Sequence, residues 1–447
     1  MIDERKPRKF GKLNFHPSDH GLFKVLACKL FSLGLFLRQT LCYSRRMPSV
    51  LIKNIGTLVT GDLKNPLRQA DSIFIKDGVI QAIGTGLSQA ADQMIDANGI
   101  TAIPGLIDSH SHPSIGEYTP AQNSLTWITN YMHGGVTALI SAGELHLPGL
   151  PLPPDARTAL SVAVVTKRCY DNLRPSGVKV FAGTLLLVPG LAEKDFDEIA
   201  SLGIKLVKFI FYDYSLLPNG EAERYVRWAH ARDIKVKIHS GGVSRSGVSQ
   251  VAGWEIVRKI NPDIIGHITG GPIPMREEDM IRIVNETRCY AEICSSGNYR
   301  LALSLIRAVK AKDAFDRVLI GTDTPGGTGI IPRGILREIA FISSVGELPP
   351  EKTICMATGN VGRAHGLDIG ILEEGRPADI VLLHKITGSV AKDGLDSFAK
   401  GDLPGISTVI IDGEIRVAGR SQQTPPPERV AGIEPSPLPS SSGRGRG

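Results

Sequence analysis

Short apolar runs recur between residues 102 and 322, most of them separated by stretches with the period of an amphipathic helix. The runs are Ala102–Asp108, Val136–Ala142, Val178–Leu187, Ile204–Phe211, Ile234–His239, Asp263–His267, Cys289–Cys294 and Val318–Thr322. A brief continuous apolar run bounded by turn residues reads as a strand covered on both faces, as in parallel sheets. Helical spacing appears over Glu221–Arg232, Met280–Glu286 and Ser304–Lys312. Eight strand–helix units predict an α/β chain, a (β/α)8 TIM barrel over residues 104–365, rather than a doubly wound sheet. Outside that stretch, 49–60 and 71–83 read as strands, with a hairpin signal at Asp77-Gly78. Ile380–His384 and Val409–Val417, with Asp412-Gly413, form a matching set near the other end. Together they predict a small β-sandwich domain built from both chain ends, residues 47–103 and 366–420.

Composition narrows the class. Of 447 residues, 42% are apolar and 21% charged, which excludes a wholly disordered or fibrous chain. Six cysteines without a CxxC pair exclude a disulfide scaffold and a thiolate zinc knuckle. Cys169, Cys289 and Cys355 read as buried free thiols, which fits a reducing, cytoplasmic compartment. The net charge of +6 is concentrated at the front, where residues 1–46 carry ten Lys and Arg against three Asp and Glu. The near-neutral body argues against a nucleic-acid partner recognised through a basic face. The run Leu30–Leu37 is too short to span a bilayer, so no membrane partner is expected. Residues 1–46 read as an extension ahead of a functional start at Met47. Residues 421–447, rich in Pro, Ser and Gly, read as a disordered tail.

In a barrel of this kind chemistry gathers where strands end. The first run leads into Asp108-Ser-His110-Ser-His112, and alternate residues of an extended chain point the same way. The runs at 234 and 263 end in His239 and His267, and the last is followed by Asp323 in Gly321-Thr-Asp-Thr. Each alone has a plain structural role open to it: surface histidines, a packing histidine, a helix N-cap. Their common position at strand ends carries the reading instead. Lys208 lies inside the apolar run Leu206–Phe211. Either its stem leads the ammonium out to water, or it is a lysine of lowered pKa that CO2 converts to an anionic carbamate. His110, His112, Lys208, His239, His267 and Asp323 would then suit two divalent metal ions, Zn2+ above Fe, Mn or Co. Asp323 is also the candidate proton carrier of a hydrolytic reaction. His146, Tyr170 and Arg174 are candidates for holding a substrate carboxylate, and Glu144 for supporting them. His133, His230, His365 and His384 read as structural, and Cys294 as an apolar filler.

The order HxH, Lys, His, His, Asp resembles the amidohydrolase superfamily. Pro104 through His112, Met356-Ala-Thr-Gly-Asn360 and Gly370 through Ile380 resemble it too. Within it, Leu145–Gly149, Arg174–Val178, His267–Pro272, Gly326–Pro332 and Gly401–Gly405 are similar to the enamidase branch. That resemblance implies hydrolysis of a cyclic amide C–N bond: oxo-tetrahydronicotinate opened to formylglutarate and ammonia in nicotinate breakdown. It also implies a binuclear centre and a homotetramer. Lys208 occupies the place of the bridging anion, as in hydantoinases. A hydantoinase-, dihydroorotase- or prolidase-like hydrolase, or a metal-free homologue, are the other readings that the residues leave open.

Overall fold

The computed structural model describes residues 47–113, 126–144, 147, 149–244, 247–271 and 273–435. Twenty strands occur in this part. The first seven are β1 (Val50–Lys53), β2 (Thr57–Val59), β3 (Leu67–Arg68), β4 (Ser72–Lys76), β5 (Val79–Gly84), β6 (Gln93–Asp96) and β7 (Thr101–Pro104). Nine follow in the middle: β8 (Leu106–Ser111), β9 (Val136–Ser141), β10 (Lys179–Phe181), β11 (Leu185–Leu187), β12 (Leu206–Phe209), β13 (Lys235–His239), β14 (Ile264–Gly266), β15 (Tyr290–Cys294) and β16 (Val318–Gly321). The last four are β17 (Ile380–His384), β18 (Gly405–Ile411), β19 (Glu414–Val417) and β20 (Gly432–Pro435).

The middle strands are all parallel and alternate with helices, giving a mixed α/β fold. They form two sheets, ordered β10-β9-β8 and β11-β12-β13-β14-β15-β16. The expectation was one closed wall of eight strands, and the difference has local causes. The single run Val178–Leu187 is bent into β10 and β11 around Gly183, whose φ of 92° lies where only glycine is comfortable. β10 pairs with β9 and β11 with β12, so one run serves both sheets. At the other edge the register of β8 shifts between Asp108 and Ser111. There β8 lies beside β16 but exchanges backbone hydrogen bonds with that segment past the end of β16, where Asp323 N donates to His110 O at 2.8 Å and His112 N to Thr324 O at 2.6 Å.

Helices cover the parallel sheets for the reason their sequences suggest. The helix Glu277–Glu286 buries Met280, Ile283 and Val284 on one face and carries Glu277, Glu278 and Asp279 in its first turn, where the helix dipole favours anions. Each such buried apolar side chain contributes about 1.5–3 kcal/mol. Among the described residues no helix is long and apolar enough to cross a membrane.

The outer strands form two further sheets, β20-β6-β1-β4-β5 and β19-β18-β17-β7-β2-β3, and both chain ends contribute to each. A single apolar cluster, including Ile52, Ile73 and Ile95 of the first and Leu58, Leu382 and Ile410 of the second, lies between them. Two boundaries differ from the sequence reading. The run Ala102–Asp108 is not one strand: β7 pairs with β17, and β8 with β9. The switch falls at Gly105, where a Cβ would lie 2.1 Å from Thr137 Oγ1. The tail is not disordered from residue 421. Ser421 and Ala431 are buried, and β20 pairs antiparallel with β6, placing Ile433 opposite Ile95. The edge of β6 offers unpaired backbone groups, and backbone pairing there outweighs an unpromising composition.

Candidate metal centre

The parallel strands bring the six strand-end candidates into one buried cluster. His110 and His112 come from β8, Lys208 from β12 and His239 from the end of β13. His267 follows β14, and Asp323 lies two residues past β16. His112 Nε2 lies 3.1 Å and His110 Nε2 3.6 Å from Asp323 Oδ1. Donor atoms of these three residues all fall within 4.8 Å of one another. Lys208 Nζ is 3.0 Å from His110 Nε2. The ring of His267 lies 5.1 Å from that of His110 and 4.5 Å from that of His239. None of the six is more than 6% exposed.

Backbone carbonyls orient two rings. His112 Nδ1 faces Gly143 O at 2.5 Å, while its Nε2 faces Asp323 Oδ1 at 3.1 Å. His239 Nε2 faces Gly242 O at 3.0 Å, leaving Nδ1 bare. His267 Nδ1 is buried with no hydrogen-bond partner. A buried polar atom left in this way costs free energy unless something outside the polypeptide meets it. His267 and Asp323 also have positive φ, 36° and 61°. Left-handed backbone costs a non-glycine residue about 1–2 kcal/mol, less for Asp. Such strain collects where side chains are aimed for function.

Electrostatics point the same way. Burial holds His110 well below the usual histidine range, helped by Lys208 and Lys237. Burial lowers His239 to about 4, with Lys208 contributing, and His267 to about 3, with His239 contributing. Neutral imidazole is the form that binds a cation. Burial alone would raise the Asp323 carboxyl. The hydrogen bond from His112 and the nearby His110 outweigh it, so Asp323 stays ionised far below the usual carboxylate range. Burial brings Lys208 down to about 8. At 1% exposure its ammonium does not reach water, which removes the solvent-seeking alternative.

Some residues here escaped the sequence reading. Glu292 of β15, fully buried, accepts hydrogen bonds from Ser109 Oγ, His110 Nδ1, Lys237 Nζ and His267 N. Lys237 of β13 is equally buried and also donates to Ser109 O at 2.8 Å. The available signal was a pair of opposite charges inside apolar strands, Lys237 between Val236 and Ile238, and Glu292 between Ala291 and Ile293. Asp108 accepts from Thr322 N at 2.9 Å and Thr322 Oγ1 at 2.5 Å, and burial raises it to about 7.

The substrate candidates fare differently. Arg174 is not at the strand-end rim. Its Nη2 pairs with Asp412 at 2.6 Å, in the β18–β19 hairpin, and donates to Gly177 O at 2.7 Å. Arg174 and Tyr170 line a cavity of about 590 Å3 together with Lys179 and Leu206, the first residues of β10 and β12. That is the opposite end of the strands from Asp323, because a helix-to-strand loop delivers the chain to where a strand starts. Tyr170 is 4% exposed, and burial, with Glu144 nearby, raises its hydroxyl beyond the usual range. His146 lies outside the described residues.

Comparisons with known proteins agree with the geometry. Residues 266–416 match the model of the Amidohydrolase family. Enamidase of Eubacterium barkeri is 42% identical over 390 residues, covering 87% of this chain and 100% of the relative. A crystal structure of enamidase, described as a new member of the amidohydrolase superfamily, superposes with a TM-score of 0.80 at 41% identity. It covers 86% of this chain and 100% of that one. A crystal structure of a protein from Bifidobacterium longum, 17% identical with a TM-score of 0.57, covers 86% of this chain and 97% of that one and shares the fold.

Proposed function

The chain belongs to the amidohydrolase family, and from that premise we propose that the cluster His110, His112, Lys208, His239, His267 and Asp323 is a binuclear metal centre for opening a cyclic enamide. The protein is an enamidase-like hydrolase acting on carbon–nitrogen bonds in cyclic amides. The observation that carries the centre is the convergence of buried imidazoles on one ionised carboxylate, with His267 Nδ1 lacking a hydrogen-bond partner among the described residues. Zinc suits this nitrogen and oxygen donor set best, with Fe, Mn or Co as alternatives. Lys208, lowered to about 8 by burial and with no carboxylate at ion-pair distance among the described residues, would carry the carbamate that completes the ligand set. The two parallel sheets are read as the wall of one (β/α)8 barrel, and the outer sheets as a β-sandwich. By likeness to the enamidase branch, the enzyme is read as a cytoplasmic homotetramer taking oxo-tetrahydronicotinate.

Divalent cations bound here supply Lewis acidity, acidifying water and polarising an amide carbonyl. The chain's own residues do the rest. His110, His239 and His267, held low by burial, stay neutral and fixed, so their lone pairs need no reorganisation. Asp323, held ionised far below the usual carboxylate range, takes the proton of the attacking water on Oδ and returns it to the leaving ring nitrogen. Cleavage of the ring C–N bond gives a carboxylate and an enamine. Water converts the enamine to an aldehyde and ammonia.

Purified protein supplied with zinc and oxo-tetrahydronicotinate is expected to release one ammonia per ring opened. Ring opening without ammonia would point to a hydantoinase-type reaction instead. The Asp323→Asn variant should keep its metal and lose turnover by about 100- to 10,000-fold, the usual worth of a positioned proton carrier. A variant with wild-type metal content and kcat would remove Asp323 from this role.

A further inference from the structure

We propose that Glu292, charge-balanced by Lys237, is the positioning residue that presents His110 Nε2 to the cation site; the assignment rests on the metal-centre reading above. Glu292 belongs to β15, while His110 lies on β8, with β14 and β16 as the neighbours of β15 in the sheet. Its carboxylate is reached by donors from three segments. Oε1 accepts from Ser109 Oγ at 2.7 Å and Lys237 Nζ at 2.8 Å. Oε2 accepts from His110 Nδ1 at 2.5 Å and His267 N at 3.3 Å. The carboxylate therefore has no rotational freedom, and through His267 N it also ties down a second proposed ligand.

The ring of His110 sits between groups of opposite kind. Nδ1 faces a carboxylate, which can only accept, while Nε2 faces the Lys208 amine at 3.0 Å. One neutral tautomer satisfies the Glu292 side, Nδ1–H with Nε2 bare, and Nε2 is the nitrogen nearest Asp323 Oδ1. Room for this contact comes from Gly266 of β14, where a Cβ would press on His110 Cε1 at 3.3 Å and stand 3.5 Å from Glu292 Oε2. Lys237 makes the arrangement tolerable, because a carboxylate buried without a cation destabilises the fold. A carboxylate behind a ligating imidazole fixes its orientation and raises its basicity.

A purely structural ion pair and a positioning residue predict different things for the double variant Glu292→Leu/Lys237→Met, in which no charge is left unpaired. Zinc affinity of the full chain would be measured by competition with a chromophoric chelator, alongside thermal melting. We expect melting close to wild type and zinc affinity lower by about 10- to 100-fold, the usual cost of losing such a partner. The variant Glu292→Gln/Lys237→Met, whose amide oxygen can still accept from Nδ1, should recover most of that affinity. Wild-type zinc affinity in the Leu/Met variant would overturn the assignment. If that variant does not fold, nitrogen NMR of the zinc-loaded wild-type protein decides. A His110 Nδ1–H resonance supports the proposal, and protonation at Nε2 overturns it. Wild-type protein that takes up no zinc would instead overturn the metal-centre reading itself.

Discussion

Lys208 and Lys237 are register partners on adjacent parallel strands, both essentially without solvent contact, yet their surroundings differ in kind. Lys237 donates to the Glu292 carboxylate and to Ser109 O, each at 2.8 Å. Lys208 meets the neutral ring of His110 at 3.0 Å, and burial lowers its basicity to about 8. Two buried carboxylates repeat the contrast. Burial would raise Glu292, but the neighbouring Lys237 reverses it and leaves the group below its usual range. Glu144 receives Ser141 Oγ and Gly183 N, its Oε2 has no partner among the described residues, and burial raises it to about 7. Burial of a charge is thus not itself a mark of function. What separates Lys208 is burial that outweighs the pull of Asp323, with no carboxylate at ion-pair distance among the described residues, at the edge of a cluster of imidazoles.

Removing Lys208 should have the largest effect on the reaction. Lys208→Met is expected to lose metal and to lower kcat/KM by more than about 100-fold, beyond the usual cost of an outer partner. Added formate or acetate should restore part of the activity if an anion is what the position supplies. Lys237→Met should act on the fold instead. It leaves Glu292 buried without its cation, so urea melts should show a loss of about 3–5 kcal/mol. Equal losses of turnover per bound metal in the two variants would erase the distinction between the lysines. The smallest effect concerns Glu144. Its folded pKa, about 7, lies above its ordinary 4.5, so the folded state holds a proton that the unfolded chain releases. Stability is then present below pH 4.5 and lost as pH rises through 7. Glu144→Gln keeps an oxygen for Ser141 and Gly183, so it should match wild type near pH 4. It should gain up to about 3 kcal/mol above pH 8, read as the pH dependence of the melting difference. A difference flat with pH would show that Glu144 is ionised in the fold.

The strand–helix alternation was legible because covered parallel strands are continuously apolar, and that signal survives without knowledge of partners. His110, His112, His239, His267 and Asp323 were legible as a set because strand ends in such a sheet face one rim. Glu292 and Lys237 were not. Each reads as an isolated charge in an apolar run, and only the folded chain brings residues 55 positions apart within 2.8 Å. Arg174 was misjudged although chain direction alone decides the matter, since it precedes β10 and so lies where that strand begins. The β20 pairing was hidden by composition: Gly432 and Pro435 argue against a strand, and the exposed edge of β6 that accepts it is more than three hundred residues away.

That last pairing has a consequence for how the molecule comes into being. The sheet holding β1, β4, β5 and β6 is completed by residues 432–435, and its companion sheet needs 380–417 beside β2 and β7. During synthesis residues 50–104 therefore wait, with an apolar face and an open edge, until almost all of the chain has left the ribosome. The same seam means that no single contiguous cut yields these sheets as a free-standing piece. Trimming the chain back to residue 420 would leave β6 able to recruit a strand from another molecule.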